Sequence, residues 1–195
     1  MGLRDILTGR HEVKGPAPDR LFAISTAYVT LQSEYEIEPA GTAAIVFQAL
    51  ATSEFEATLR DMEAVVTATG GESATKVSSQ DDSYGYRWMV LRNPDGAPNV
   101  EDLAVGINAV SGSIETAGHG ERLLCAVFAF ADKRGQRIYF IYNYKRGFWY
   151  PFVPDPTSTQ ERSTERELQI KAQMASELPL EPEIERWFPL WGIPI

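Results

Sequence analysis

The sequence predicts an α+β fold in which a mostly antiparallel sheet is flanked by helices. Three observations carry this prediction. The densest apolar run of the chain, residues 123–153, has the pattern of an antiparallel meander. Helical periodicity recurs both before and after this meander. Helices and strands alternate irregularly, without the strict βαβ rhythm of a doubly wound parallel sheet.

The meander begins with a strand that carries apolar residues on both faces. Strict alternation places Leu124, Ala126, Phe128 and Phe130 on one face and Leu123, Cys125, Val127 and Ala129 on the other. A strand without polar alternation is typical of burial on both sides. A polar turn around Gly135 and a second strand over residues 137–144 follow. The basic turn Lys145-Arg146-Gly147 then leads into a third strand over residues 148–153.

Helices and further strands are predicted on both sides of the meander. Helix start signals stand at Asp19, Ser53, Asn99 and Thr164. The first helix is broken by Pro39-Ala40-Gly41, so that the next strand begins at Thr42. Residues 83–91 form another strand. The last helix is predicted to bury Leu168, Ala172, Ala175 and Leu178.

The chain is predicted to contain an N-terminal extension and linker, residues 1–18, and a single α+β domain, residues 19–195. In the extension, Leu3, Ile6 and Leu7 share one side of a short turn that could contact a membrane surface or dock weakly as a frayed terminus. The domain ends in a helix and an aromatic tail, residues 163–195. This tail either binds a partner or folds back over the sheet, which we favour because its prolines and Gly192 let it follow a surface.

The composition excludes several functional classes. The 195 residues carry a net charge of −9, which argues against nucleic-acid binding because phosphate recognition requires a basic field. No apolar run approaches the roughly 20 residues that a membrane span needs. With one cysteine no intrachain disulfide can form, and the cytoplasm is the expected compartment.

The sequence contains no evident catalytic or metal site. His11 and His119 lack a carboxylate or cysteine at metal-ligand spacing, and no phosphate-binding loop or nucleophile-elbow motif is present. Cys125 lies in the buried strand, which disfavours a catalytic dyad with His119. We therefore expect no enzymatic activity, no metal and no cofactor.

The basic turn after the second meander strand is the leading candidate for a contact site. The candidate residues are Tyr144, Lys145, Arg146 and Trp149, with Arg87 and Asp82 as second choices. The two cations could bind an anion or a protein partner, with the neighbouring rings as platforms. The segment could equally be a solvated turn whose aromatic residues belong to the core.

Several longer motifs resemble the PspA-associated protein family PspAB. They are the opening MGLRDILTGR, Asp82 to Trp88, Leu124 to Phe128, Tyr142 to Gly147, Tyr150 to Phe152, and Glu185 to Gly192. The resemblance spans nearly the whole chain. It implies a prokaryotic cytoplasmic protein, actinobacterial or archaeal, whose gene tends to neighbour those of the phage-shock protein PspA and of an HtpX-type membrane metalloprotease.

The resemblance implies an accessory role in the envelope-stress response and carries over no catalytic residues. The order of elements is also similar to the YbjN and type III secretion chaperone fold, although a fold does not define a function. Our leading hypothesis is a non-enzymatic, chaperone-like adaptor for PspA-like and HtpX-type proteins at the inner face of the cell membrane. The alternative is a small anionic-ligand-binding protein, or an enzyme. Its pocket would open beside Lys145 and Arg146, between the sheet and the helix of residues 99–117.

Overall fold

A computed structural model describes residues 18–69, 75–94, 98–158 and 160–195. The described chain forms a six-stranded sheet of order β2-β3-β1-β4-β5-β6, in which every neighbouring pair is antiparallel. The strands are β1 (Ile37–Gln48), β2 (Lys76–Asp81), β3 (Tyr86–Arg92), β4 (Leu123–Asp132), β5 (Arg137–Asn143) and β6 (Phe148–Phe152). The helices are α1 (Pro18–Phe22), α2 (Ile24–Tyr35), α3 (Ser53–Thr69), α4 (Val100–Thr116) and α5 (Thr164–Gln173). The predicted α+β class and the antiparallel meander are confirmed.

The N-terminal extension cannot be compared with its prediction. Residues 1–17 lie outside the described part of the chain, and with them Leu3, Ile6 and Leu7. Membrane contact through these side chains stays a prediction from the sequence. The division of the chain into residues 1–18 and 19–195 likewise stays a prediction.

One face of the sheet is covered by helices, and α4 contributes most to that cover. Asn99 caps α4 as predicted, because its Oδ1 accepts a hydrogen bond from the backbone N–H of Asp102 at 3.0 Å. The buried residues of α4 at helical spacing are Leu103, Ile107, Val110 and Ile114. They pack in one core with Phe128 and Phe140 of the sheet. We call this side the helix-covered face.

The opposite face is covered by residues 187–195, which contain no helix or strand. The Trp187 ring stacks on Tyr150 with centroids 6.3 Å apart, and the Trp191 ring meets Phe152 edge-on at 5.2 Å. The prediction that the aromatic tail folds back over the sheet is therefore confirmed. We call these residues the tail, and this side the tail-covered face.

Strand β1 begins at Ile37, so the prediction that it starts only at Thr42 is wrong. The register with β4 passes from Pro39 opposite Phe130 to Thr42 opposite Ala129, with the intervening residues forming a bulge. Gly41 adopts the left-handed conformation with φ of 66°. A glycine tolerates that conformation without strain, so the breaker motif bends the strand instead of ending it.

A second bulge changes which residues of β4 face the helices. Val46 pairs with Cys125 and Phe47 pairs with Leu123, so Leu124 is an extra residue in the ladder. Leu123 therefore joins the core of the helix-covered face, while Leu124 lies with Cys125 on the tail-covered face. Strict alternation is wrong for the first two residues of the strand, because a bulge inserts one residue and reverses the faces before it.

Helix α5 buries a different face from the predicted one. Leu168 and Ala172 in the helix and Ala175 beyond it are exposed, whereas Ile170 and Met174 are buried. The predicted burial of Leu178, which follows the helix, is confirmed. The helix is oriented by Glu167, which accepts a hydrogen bond from the backbone N–H of Val153 at 2.8 Å and pairs with Arg162 at 2.7 Å. This buried ion pair helps to determine which face of α5 packs against the core. The spacing of apolar residues along the helix does not reveal such a contact.

Candidate functional site

The predicted contact residues lie at one end of the sheet but do not form one surface. Arg87 stands near the start of β3, and Lys145 and Arg146 occupy the turn between β5 and β6. Strands β1 and β4 separate β3 from β5. Three strand spacings amount to about 14 Å. Arg87 and Arg146 each contact different partners on their own side of that gap.

Two of the predicted contact residues belong to the core. Trp149 is 0% exposed and Tyr144 is 5% exposed. The Trp149 indole N–H donates to the carbonyl of Arg20 at 2.6 Å, and its ring lies 5.2 Å from that of Tyr142. Burial raises the pKa of Tyr144. Neither ring is exposed enough to serve as a platform for a ligand, so Tyr144 and Trp149 are core residues in this structure.

Arg146 ties the β5–β6 turn to the chain beyond α5. Its guanidinium forms a two-armed pair with the buried carboxylate of Glu181, one arm at 3.1 Å, and approaches Glu183 at 3.4 Å. The hydrogen bonds that Arg146 donates to Glu181 raise the pKa of Arg146. The backbone N–H of Glu181 also donates to the carbonyl of Trp149 at 2.8 Å. The charge of Arg146 is thus satisfied within the chain, whereas Lys145 is exposed.

Arg87 is a structural bridge between the sheet and a helix. Its guanidinium contacts Asp81 at 2.6 Å on the neighbouring strand and Glu56 at 2.8 Å on α3. The hydrogen bond with Asp81 raises the pKa of Arg87, and burial opposes it. The same contact lowers the pKa of Asp81. Arg87 therefore holds α3 against the start of β3.

Asp82 closes the turn between β2 and β3 and orients Trp88. Its Oδ1 accepts hydrogen bonds from the backbone N–H groups of Tyr84 at 2.8 Å and Tyr86 at 2.9 Å, and its Oδ2 accepts from the Trp88 indole at 3.0 Å. Burial raises the pKa of Asp82, but these hydrogen bonds outweigh it and hold the pKa below its usual value. The carboxylate is therefore ionised at neutral pH.

A pocket of about 320 Å³ opens beside Asp82 on the tail-covered face. Its aromatic wall consists of Tyr84, Tyr86, Trp88, Tyr150, Phe188 and Trp191, contributed by the β2–β3 hairpin, β6 and the tail. The bulged residue Leu124 and its neighbour Cys125 also line it. Tyr84 is 74% exposed and Phe188 is 58% exposed. We call this feature the aromatic pocket.

The aromatic pocket suits an apolar group better than a chemical reaction. Burial raises the pKa of the Cys125 thiol to about 12, which keeps it protonated. His119 packs on Phe55 at 5.2 Å on the helix-covered face, whereas Cys125 lies on the other side of the sheet. Among the described residues, no three side chains of His, Cys, Asp or Glu are grouped to hold a metal ion.

The aromatic pocket is also not the pocket predicted beside Lys145 and Arg146. Neither of these residues lines it, and it lies across the sheet from α4 instead of between α4 and the sheet. Of the predicted contact residues, Asp82 alone lines this pocket.

Sequence reasoning missed Tyr84 and Phe188 as exposed residues of a site. A signal for Tyr84 exists, because an aromatic residue in a turn directly before a glycine has little opportunity for burial. Phe188 carries no such signal, since it adjoins Trp187, which is buried. Only the folded-back tail brings these two rings, 104 positions apart in the sequence, to one pocket.

The fold and the pocket define an α+β protein whose tail covers one sheet face and leaves an aromatic pocket at its end. The chain belongs to the PspAB family, because the family model for PspA associated protein B matches residues 1–195, the whole chain. Neither the curated proteins nor the solved structures provide a match. The family membership suggests a role linked to PspA and the phage-shock response. The likeness to YbjN and type III secretion chaperones stays a prediction.

None of the helices in the described ranges is both long and apolar enough to cross a membrane.

Proposed function

We propose that this protein is a non-enzymatic adaptor that binds a PspA-like protein at the inner face of the cell membrane during envelope stress. Family membership supports the link to PspA. The aromatic pocket carries the proposed mode of binding, because two rings at its rim, Tyr84 and Phe188, are mostly exposed. Aromatic residues around a pocket are typical of the anchor points of protein–protein interfaces.

The proposed occupant of the pocket is an apolar or aromatic side chain of the PspA-like partner. The wall offers ring faces, and Asp82 places an ionised carboxylate at its edge. A basic residue next to the anchoring side chain would complement this carboxylate and the net charge of −9. Lys145 is exposed on the β5–β6 turn but does not line the pocket, so we propose it as a separate contact for the partner. Tyr144 and Trp149 are left out of this proposal because they are buried.

The test measures binding of the purified PspA-like protein from the same organism to rim variants. We expect Tyr84→Ala and Phe188→Ala each to weaken binding by about 30-fold, the effect of a side chain worth about 2 kcal/mol. Val105→Ala and Leu168→Ala are matched controls, because both residues are exposed and apolar but lie on helices. We expect these controls to bind within about twofold of the natural protein.

Two further outcomes discriminate between partners. A pull-down from envelope-stressed cells in which the PspA-like protein and the HtpX-type protease are both absent would overturn the adaptor proposal. Capture of the HtpX-type protease alone would contradict the proposal that a PspA-like protein occupies the aromatic pocket. It would assign the pocket to the protease instead. Equal melting temperatures of the natural protein and the rim variants would show that lost binding does not reflect lost folding.

A further inference from the structure

A second pocket, which we call the arginine hollow, lies on the tail-covered face, at the other end of the sheet from the aromatic pocket. It has a volume of about 480 Å³, and Arg92 and Arg137 line it together with Phe130, several small residues and the last residues of the tail. No Asp or Glu in the described part of the chain lines it. In a chain with a net charge of −9, a hollow whose charged lining residues are both arginines departs from the rest of the molecule.

The strand register explains why a hollow forms between the two arginines. Thr42 in β1 pairs with Arg92 in β3, and Ala131 in β4 pairs with Arg137 in β5. The central strands β1 and β4 therefore present short side chains at these positions, while the strands beside them, β3 and β5, present the long cationic side chains of the two arginines. The bulge that includes Ala40 adds to the depression, since a bulge increases local twist.

Both arginines lie beside the end of the tail. Arg92 donates from Nη2 to the carbonyl of Pro194 at 3.2 Å. Arg137 lies near Tyr139, whose hydroxyl donates to the main-chain oxygen of Ile195 at 2.9 Å. Each guanidinium carries five N–H donors, so these contacts leave donors on both.

The side-chain carboxylates of the described residues leave both arginines without an ion pair. The carboxylate of Asp132, in the adjacent β4–β5 turn, accepts hydrogen bonds at 2.9 Å from the backbone N–H groups of Arg134 and Gln136. Among the described residues, two cations thus face one hollow without an Asp or Glu partner.

We propose that Arg92 and Arg137 bind a phosphate-bearing small molecule in this hollow. A guanidinium matches the oxygens of a phosphate group with paired hydrogen bonds. Arg92 and Arg137 lie on strands about 14 Å apart, as Arg87 and Arg146 do, but both border this one hollow, so both positive charges act on a dianion bound there. The volume of about 480 Å³ exceeds that of a bare ion and leaves room for an organic group. This site is separate from the aromatic pocket and does not depend on the adaptor function.

The experiment titrates the whole protein calorimetrically with glycerol phosphate and with inorganic phosphate at constant ionic strength. We expect saturable binding, tighter for glycerol phosphate. Arg92→Gln and Arg137→Gln should each weaken it by about tenfold or more, because each removes charge-assisted hydrogen bonds. Arg134→Gln is the matched control: it makes the same charge change on the adjacent turn and should stay within about twofold.

A further variant, Arg137→Lys, separates a loss of phosphate binding from a loss of tail packing. Arg92→Gln also removes the contact to Pro194, so a lower melting temperature without ligand is expected there. Arg137→Lys keeps the charge but loses the paired geometry, and it should weaken phosphate binding without changing the melting temperature. Absence of saturable binding to the natural protein overturns the proposal, as does equal weakening by Arg134→Gln. Binding of succinate but not of either phosphate compound rejects the phosphate class.

Discussion

The two faces of the sheet are both apolar, yet the chain closes them in different ways. On the helix-covered face, regular helices present apolar side chains at helical spacing, and large rings such as Phe128 and Phe140 are buried there. On the tail-covered face, residues 187–195 follow the sheet without helix or strand and bury Trp187 and Ile195. Both described pockets adjoin the tail.

This difference indicates where binding can evolve in such a fold. A helix buries a continuous stripe of side chains, so it fills the groove beneath it. A tail without regular structure contacts the sheet through single rings and carbonyls, and space remains at its two ends. The proposals for the aromatic pocket and for the arginine hollow both arise from that incomplete cover.

The largest expected effect lies on the helix-covered face. Phe128→Ala removes a buried ring that packs 5.6 Å from Trp149. We expect the free energy of unfolding to fall by about 3–5 kcal/mol, from lost burial and the cavity left behind. Equilibrium denaturation measures it, with Leu168→Ala on exposed α5 as a control that changes stability little. A loss below about 1 kcal/mol would contradict the contrast between the faces.

The next effect concerns the ion pair that anchors the start of the tail. Glu167 is 1% exposed and pairs with Arg162, whose Nη1 also donates to the carbonyl of Trp187 at 2.6 Å. Arg162→Met leaves the carboxylate buried without its partner and should cost about 3 kcal/mol in denaturation experiments. The double change Arg162→Met with Glu167→Leu should recover part of that loss, although it also removes the acceptor of the buried Val153 N–H. No recovery would show that the lost contacts to Trp187 and Val153 outweigh the cost of the unpaired carboxylate.

A smaller effect is expected within the tail itself. Trp191→Ala removes a partly buried ring that meets Phe152 edge-on at 5.2 Å. Because this ring is not fully enclosed, we expect a loss of about 1–2 kcal/mol in the free energy of unfolding. A loss as large as that of Phe128→Ala would show that the tail closes its face as tightly as the helices do.

The smallest effect is a pH dependence at the aromatic pocket. The pKa of Asp82 is below its ordinary value of 3.8 in the folded state, so the contribution of its carboxylate to stability is present above that value. It is lost as the pH falls from about 4 through the folded pKa, and it amounts to about 1 kcal/mol or less. Asp82→Asn should therefore differ from the natural protein less at pH 3 than at pH 7 in thermal melts. A difference that does not change with pH would contradict this role of the carboxylate.

Much of the fold could be predicted because it depends on local patterns. The meander, the capping residue Asn99 and the apolar tail were all evident from residues within a few positions of one another. The errors in detail have a common cause. The bulge at Leu124 and the buried face of α5 are decided by partners on other elements, namely β1 for the first and Val153 for the second. Periodicity within one element does not contain that information.

The candidate site was less predictable than the fold. The pattern of cations and rings around Lys145 fitted equally an exposed contact surface and a solvated turn over core rings, and in the structure Tyr144 and Trp149 are covered by other parts of the chain. Arg146 is paired with Glu181, 35 positions later. Exposure and charge pairing depend on residues distant in the sequence, so a local motif cannot decide whether a cation is free.

The sequence by itself determined the α+β class, the antiparallel meander and a tail too apolar to remain exposed. These follow from residue spacing and from the free energy of burying apolar surface, which act wherever the chain folds. The tertiary structure alone decided that Tyr84 meets Phe188 at one pocket and that Arg92 and Arg137 border one hollow. Their meeting depends on strand order and on the path of the tail, which bring together residues that no local pattern relates.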